Sequence, residues 1–183
     1  MKTCVDGLEL NFKSLSEAEI TDSLFCGFVR RQEVDKCFRR KDGLWIVESD
    51  PFTDDWDEND YRELIANLKR TALNGIVFGA FADNRLVGFC AVDGELFGRG
   101  GKYMDLSNIH VTCGMRRKGV GKRLFSLAAE WAKAHGAEKL YISAHSAIET
   151  QAFYASLGCA EASEYSALHT EKEPFDCQLE KAL

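Results

Sequence analysis

Arg116-Arg117-Lys118-Gly119-Val120-Gly121-Lys122-Arg123 is the stretch on which the reading of this chain turns. Five of its eight residues are basic, in a chain whose formal net charge is −6. An apolar, strand-like run ends at Val111 just before it, and an amphipathic helix opens inside it. Cations at a helix start oppose the macrodipole, whose positive end already lies there. Free backbone N–H groups, two glycines and surplus positive charge on one turn are what a phosphate or pyrophosphate requires. The stretch therefore reads as an anion cradle. A merely solvated basic turn would leave both the opposed dipole and the paired glycines unexplained.

Three glycine motifs compete for it. A P-loop requires G-x-x-x-x-G-K-[ST], but Arg116 stands at its first glycine and Arg123 at its hydroxyl position. A dinucleotide fingerprint requires G-x-G-x-x-G, but Gly119-x-Gly121 is followed by Leu124. What remains is R-x-x-G-x-G between a strand and a helix, where the glycines let a pyrophosphate approach the backbone closely.

Upstream of the cradle, Ile76 to Ala82 and Leu86 to Val92 are β-rich runs around Asp83-Asn84-Arg85, a tight hairpin. Tyr103 to Val111 reads as one further strand. Downstream, Val120, Leu124, Leu127, Ala128, Trp131 and Ala132 share a helix face that ends at Gly136. Leu140 to Ser143 is a short strand and Glu149 to Leu157 a helix closed by Gly158. Ala160 to Leu168 and Phe175 to Leu183 are expected to form a terminal hairpin. Toward the N-terminus, Leu8 to Phe12 is a strand, Ser14 or Ser16 caps a weakly patterned helical region over Glu17 to Arg40, and Gly43 to Val47 is a strand or extended loop. A better helix runs from Glu58 to Leu73, with Tyr61, Leu64, Ile65 and Leu68 on one stripe and Asn74-Gly75 as its stop. The expected fold class is α+β, with a central, mostly antiparallel mixed sheet flanked by helices.

With 183 residues, 45% of them hydrophobic, the chain suits a single domain with a sizeable core. Two prolines and no long polar tract argue against linkers. Outside the cradle there is no basic footprint, so neither nucleic acid nor an anionic membrane is expected as a partner. No apolar run approaches transmembrane length, and Met1-Lys2-Thr3-Cys4 does not lead into a signal-peptide core. Seven scattered cysteines without a C-x-x-C pair read as reduced thiols of a cytoplasmic protein. Cys113, near the cradle, reads as a structural thiol. Zinc spacing is absent, and no metal is expected. Asp50, Asp54, Asp55, Asp57, Glu58 and Asp60 form an acidic segment. It serves either to cap the helix that follows or as a rim for a cationic ligand, with Phe52 and Trp56 available for stacking. Glu173 and Asp176 could add to such a rim.

The ordered set of elements resembles the GNAT superfamily of N-acetyltransferases. The likeness runs from about Ile76 to Leu183 and includes Asn108-Ile109-His110-Val111, the cradle, the helix to His135 and the strand Lys139 to Ser143. It also includes Ala152-Phe153-Tyr154-Ala155-Ser156-Leu157-Gly158-Cys159, where Cys159 replaces the usual phenylalanine of F-Y-x-x-L-G-F. The resemblance implies acetyl-CoA as co-substrate, its pyrophosphate held by Arg116, Arg117, Lys118, Gly119, Val120, Gly121 and Lys122. The thioester and pantetheine would lie along Ile109, His110 and Val111, near a backbone N–H that stabilises the carbonyl oxygen. Tyr154 would protonate the leaving thiolate. Asp105, eleven residues before Arg116, stands where some family members carry a catalytic glutamate. By the period of two it shares a strand face with Ser107 and Ile109, leaving His110 on the other unless a bulge re-aims it. Deprotonation through ordered water, without a dedicated base, stays open beside it, and His145 reads as a loop histidine at the strand end. Residues from about 1 to 75 would shape the acceptor site for a small-molecule amine, a cationic one being one reading. A homodimer, acetylation of a protein amine and a non-catalytic acyl-CoA-binding module are further readings.

Overall fold

Continuous apolar runs on either side of Asp83-Asn84 build the hairpin around which the molecule is organised, and both turn residues are left-handed (φ 47° and 60°), as a two-residue hairpin turn demands. The computed structural model describes residues 2–5 and 8–183. In chain order its elements are β1 (Lys2–Val5), β2 (Leu8–Ser14), β3 (Arg31–Lys41), β4 (Leu44–Asp55), α1 (Glu58–Asn74), β5 (Ile76–Ala82) and β6 (Arg85–Val92). These are followed by β7 (Tyr103–Asp105), β8 (Asn108–Val111), α2 (Val120–Ala134), β9 (Lys139–Ala144), α3 (Ile148–Ser156), β10 (Ala160–Glu161), α4 (Ala167–Lys172) and β11 (Cys177–Ala182). Short 3-10 turns occupy Glu17–Glu19, Asp22–Phe25 and Cys113–Met115.

The fold is α+β. One antiparallel sheet has the order β1-β2-β5-β6-β8, and a second has the order β10-β11-β9-β7, in which only β7 and β9 run parallel. Strands β3 and β4 form a separate two-stranded ribbon. Helix α2 packs its Val120–Leu124–Ala128–Ala132 stripe against one face of both large sheets, joining Met104, Leu140 and Ile142. Helix α1 covers the opposite face of the first sheet with Leu64, Ile65 and Leu68, over Val77, Phe89 and Ala91.

Three expectations are overturned and a fourth, the strand from Gly43, is extended. Glu17 to Arg40 is not helical: two 3-10 turns lead into β3. A register shift between Val34 and Lys36 turns Val34 and Cys37 to the same side, against Ala147, so a bulged strand carries a spacing of three that imitates a helix. Strand β4 is longer than Gly43 to Val47 and runs on to Asp55. The terminal hairpin survives only as β10 on β11; Ala167–Lys172 is helical, since Ser166 N–H is held by the Tyr141 hydroxyl at 2.8 Å rather than by a partner strand. The run from Tyr103 to Val111 is two strands in different sheets: β7 lies beside β9, and β8 beside β6.

The acidic segment is likewise divided. Asp57 caps α1, accepting from Asn59 and Asp60 N–H at 2.7 and 3.0 Å, and Asp60 returns a bond to Asp57 N–H at 2.8 Å. This reciprocal box satisfies N–H groups that the first helical turn leaves orphaned. Replacing Asp57 with Ala should lower unfolding free energy by about 1 kcal/mol in urea titration, whereas Glu58→Gln should have little effect.

Candidate functional site

At Leu106 the chain leaves one sheet for the other. Leu106 N–H donates to Tyr141 O at 2.9 Å, after which β8 follows β6 while β9 continues beside β11. Strands β8 and β9 share no ladder, so the two sheets part like a V with Leu106 and Tyr141 at its apex. A cleft of about 1320 Å³ occupies the opening. Its lining includes residues from β7, β8, the start of α2, the end of β9, α3 and α4.

The start of α2 faces this opening. Gly119 is the residue before the helix and is left-handed (φ 78°), offering no side-chain cap. Arg117 is left-handed as well (φ 62°). The first bond back into the helix is Arg123 N–H to Gly119 O, at 3.0 Å, so the N–H groups of Val120, Gly121 and Lys122 precede the helical ladder. Gly121 is closely packed: a Cβ there would stand 3.3 Å from the Phe153 ring, which would have to give slightly, and 3.5 Å from Val111. Arg116 is tied to the strand end through Nε–H to Val111 O at 3.2 Å. Arg116, Arg117, Gly119, Gly121 and Lys122 line the cleft; the Val120 side chain instead sits in the core, and Lys118 lies off the lining.

The break after Asp105 resets the alternation. Ile109 packs into the α2-side core, while Asp105 and His110 both face away from α2. Asp105 therefore does not share a face with Ile109. On the α2 side, Tyr154 is 6% exposed between Phe125 and Phe153, with ring centroids 6.4 and 5.2 Å away. Its hydroxyl has no hydrogen-bond partner among the described residues, and the residue lines the cleft. Burial raises its pKa well above that of an ordinary phenol, with the charges of Asp176 and Asp105 adding to the effect, so it stays protonated.

Across the gap, Asp105 Oδ2 lies 3.1 Å from His169 Nε2, and Asp105 Oδ1 is buried without a partner. Burial raises the Asp105 carboxyl, while the His169 bond opposes that shift. Asp176 accepts from the Ser143 hydroxyl at 3.2 Å and is pushed up by burial to about 6. His110 is enclosed by Trp56 and Phe89 at 4.6 and 5.3 Å, and its Nδ1 accepts from Arg30 Nε at 3.3 Å. Burial first, and the Arg30 charge second, depress it to about 3, so it is neutral. Arg30, 8% exposed, also bonds Asp54 Oδ2 at 2.6 Å and lies over the Trp56 ring. His145 is an acceptor for Ala147 N–H at 3.1 Å and meets Phe52 edge-on.

Three residues of the acidic segment point to arginines: Asp50 pairs with Arg39, Asp54 with Arg30 and Asp55 with Arg31, while Asp57 and Asp60 are held in the capping box of α1. Carboxylates do line the cleft, but they come from elsewhere, including Asp93, Glu95, Asp105, Glu149 and Asp176. Nothing local in the sequence marks Arg30 or His169: Arg30 leads into a bulged strand whose spacing imitates a helix, His169 sits in a six-residue helix, and neither belongs to a local motif.

A model of the acetyltransferase (GNAT) family matches residues 41–159. Among solved structures, nourseothricin acetyltransferase superposes with a TM-score of 0.69 at 18% identity, over 94% of this chain and 98% of that one. The PaiA N-acetyltransferase from Thermoplasma acidophilum, solved in complex with coenzyme A, gives 0.57 at 15% identity, over 95% and 99%. Aminoglycoside acetyltransferase HMB0005, from an uncultured soil metagenomic sample, gives 0.55 at 18% identity, over 86% and 95%. At these identities the likeness is one of fold. No curated protein matches the chain in sequence.

Asp54→Asn leaves the Arg30 guanidinium buried beside a neutral amide, and should cost about 2 kcal/mol in urea unfolding. Asp50→Asn, whose pair with Arg39 is more exposed, should cost less than about 1 kcal/mol in the same measurement.

Proposed function

The chain belongs to the acetyltransferase (GNAT) family, and from that premise we propose that it moves an acetyl group from acetyl-CoA to the primary amine of a small, cationic molecule. The observation that carries this reading is the uncapped, glycine-opened start of α2 at the mouth of the gap between β8 and β9. Three backbone donors and the cations Arg116, Arg117 and Lys122 suit a pyrophosphate there. From that anchor the pantetheine arm enters the gap, where the open edges of β8 and β9 offer N–H and C=O groups to its amides.

Acetyl transfer by direct attack in a ternary complex then needs a neutral amine, a stabilised carbonyl oxygen and a proton for the departing sulfur. An N–H on the open edge of β8, in the Ile109 to Val111 region, serves the oxygen. Tyr154 serves the sulfur: its buried, protonated hydroxyl has no other described partner, which favours a catalytic part over a purely packing one and an enzyme over a non-catalytic binding module. Asp105 belongs to the opposite, proton-removing wall.

Carboxylates on that wall support a cationic acceptor. An ammonium ion would supply the counter-charge that Asp176, pushed up to about 6, lacks. The nourseothricin and aminoglycoside acetyltransferases named above support a small-molecule acceptor rather than a protein. All six described cysteines are free, in keeping with a cytoplasmic setting, and among the described residues no helix is long and apolar enough to cross a membrane.

Release of CoA thiol across a panel of polyamines, aminoglycosides and amino-acid amides tests the activity. Tyr154→Phe should lower kcat by about 10²-fold or more while leaving the acetyl-CoA Kd from calorimetry unchanged; an unaltered kcat removes its role. Gly121→Val should weaken acetyl-CoA by at least about tenfold, since the new side chain fills the cradle. For a cationic acceptor, KM should fall as pH rises through about 6 and Asp176 ionises. Asp176→Asn should abolish that dependence.

A further inference from the structure

Asp105 lines the cleft, but one of its carboxylate oxygens is engaged by His169 and the other is buried without a partner. His169 lines the cleft too, and its Nδ1 has no partner among the described residues. Resting on the transferase reading above, we propose that His169 is the base that removes the proton from the acceptor ammonium, with Asp105 as the residue that positions and strengthens it.

The local structure holds the imidazole from two directions. Its ring stacks on Tyr141 at 5.4 Å between centroids, with 28° between planes. Tyr141 is fixed in turn, its hydroxyl donating to Gln178 Oε1 at 2.6 Å and accepting from Ser166 N–H, where α4 begins. Asp105 Oδ2 fixes the second direction through Nε2. An ionised Asp105 only accepts, so Nε2 carries the hydrogen and the Nδ1 lone pair is left for the substrate, the same division of labour as in other carboxylate–imidazole pairs.

Electrostatics separate His169 from the other histidines. His110 is too weak a base, with Nδ1 occupied by Arg30, and His145 has Nδ1 occupied by Ala147 N–H and is also lowered by burial. His135 lies at the far end of α2, bonded to Trp131 O. His169 is raised, because its bond to Asp105 outweighs its burial. The groups facing it are Asp105 on β7, Tyr141 on β9, Asp93 beyond β6, Asp176 ahead of β11 and Lys172 on its own helix, of which Lys172 opposes the rise.

The step balances. The ammonium gives one proton to Nδ1, and His169 becomes an imidazolium stabilised by Asp105. The freed amine forms a C–N bond to the thioester carbonyl carbon. As the tetrahedral species collapses, the C–S bond breaks and Tyr154 protonates the thiolate. The resulting phenolate takes the second proton from nitrogen, and His169 releases the first to solvent. Base and acid thus stand on opposite walls of one gap, as two proton transfers to different atoms require.

The test is the pH profile of kcat/KM for whichever panel amine the wild-type protein turns over fastest. Wild type should lose activity as pH falls through the raised pKa of His169. His169→Gln should lose about 10²-fold in kcat near neutral pH, with the deficit shrinking as pH rises and the amine deprotonates unaided. Its acetyl-CoA Kd should stay at the wild-type value, which also reports a folded protein. Imidazole should partly rescue His169→Ala. Asp105→Asn should keep the acid limb but move it to lower pH, because the imidazole loses its carboxylate. Loss of the limb in Asp105→Asn with its retention in His169→Gln would make Asp105 the base and overturn the proposal, as would a wild-type profile for His169→Gln. A wild-type protein that binds acetyl-CoA yet acetylates no amine overturns the transferase reading itself, a separate outcome.

Discussion

Backbone hydrogen bonding cannot be left unfinished inside a protein without cost, and the site exists because two strands leave it unfinished on purpose. Where Leu106 gives its N–H to Tyr141 O, the chain still runs beside β9; two residues later it belongs to β6. Beyond that point β8 has no strand on its second edge, and Ile142 to Ala144 have none on the side toward it. Every other feature of the cleft is arranged around that seam. The start of α2 supplies donors at its mouth, α3 brings Tyr154 to one wall, and α4 brings His169 to the other.

Local signals made part of this readable in advance. The hairpin about Asp83-Asn84, the α2 stripe and the glycine turn before it each depend on residues a few positions apart, and each is where the spacing put it. The misreadings have physical causes of the opposite kind. A bulge in β3 gave a strand the spacing of a helix. The run from Tyr103 to Val111 holds no glycine or proline, and nothing local in it reveals a change of sheet. That change decides which side chains face away from α2, because it puts Asp105 and His110 on one side and Ile109 on the other. His169 meets Asp105 across 64 residues, through Tyr141, and no short-range pattern encodes such a contact.

Charge is distributed to match. Arginines of β3, with Arg30, pair with three of the six carboxylates of the acidic segment, and two more close the capping box of α1, so its surplus is largely spent within the fold. The cleft keeps a polarity of its own, cationic where α2 begins and anionic toward Asp93, Asp105 and Asp176. Two ligands of opposite charge would thus be drawn to opposite ends and meet near the apex, an orientation set by the long-range field before any specific contact forms.

An unpaired strand edge is also an invitation to other chains, since any exposed β-segment can extend the ladder and seed an aggregate. Here the two open edges border a cleft lined by residues of α3 and α4 and by charge of both signs. A slender extended ligand can thread between them, whereas charge beside an open edge is a device that discourages a second protein's sheet from pairing with it. The geometry that makes the seam receptive to a substrate also keeps it closed to neighbours in a crowded cell, so the molecule can keep its hydrogen bonding unfinished between visits without becoming sticky.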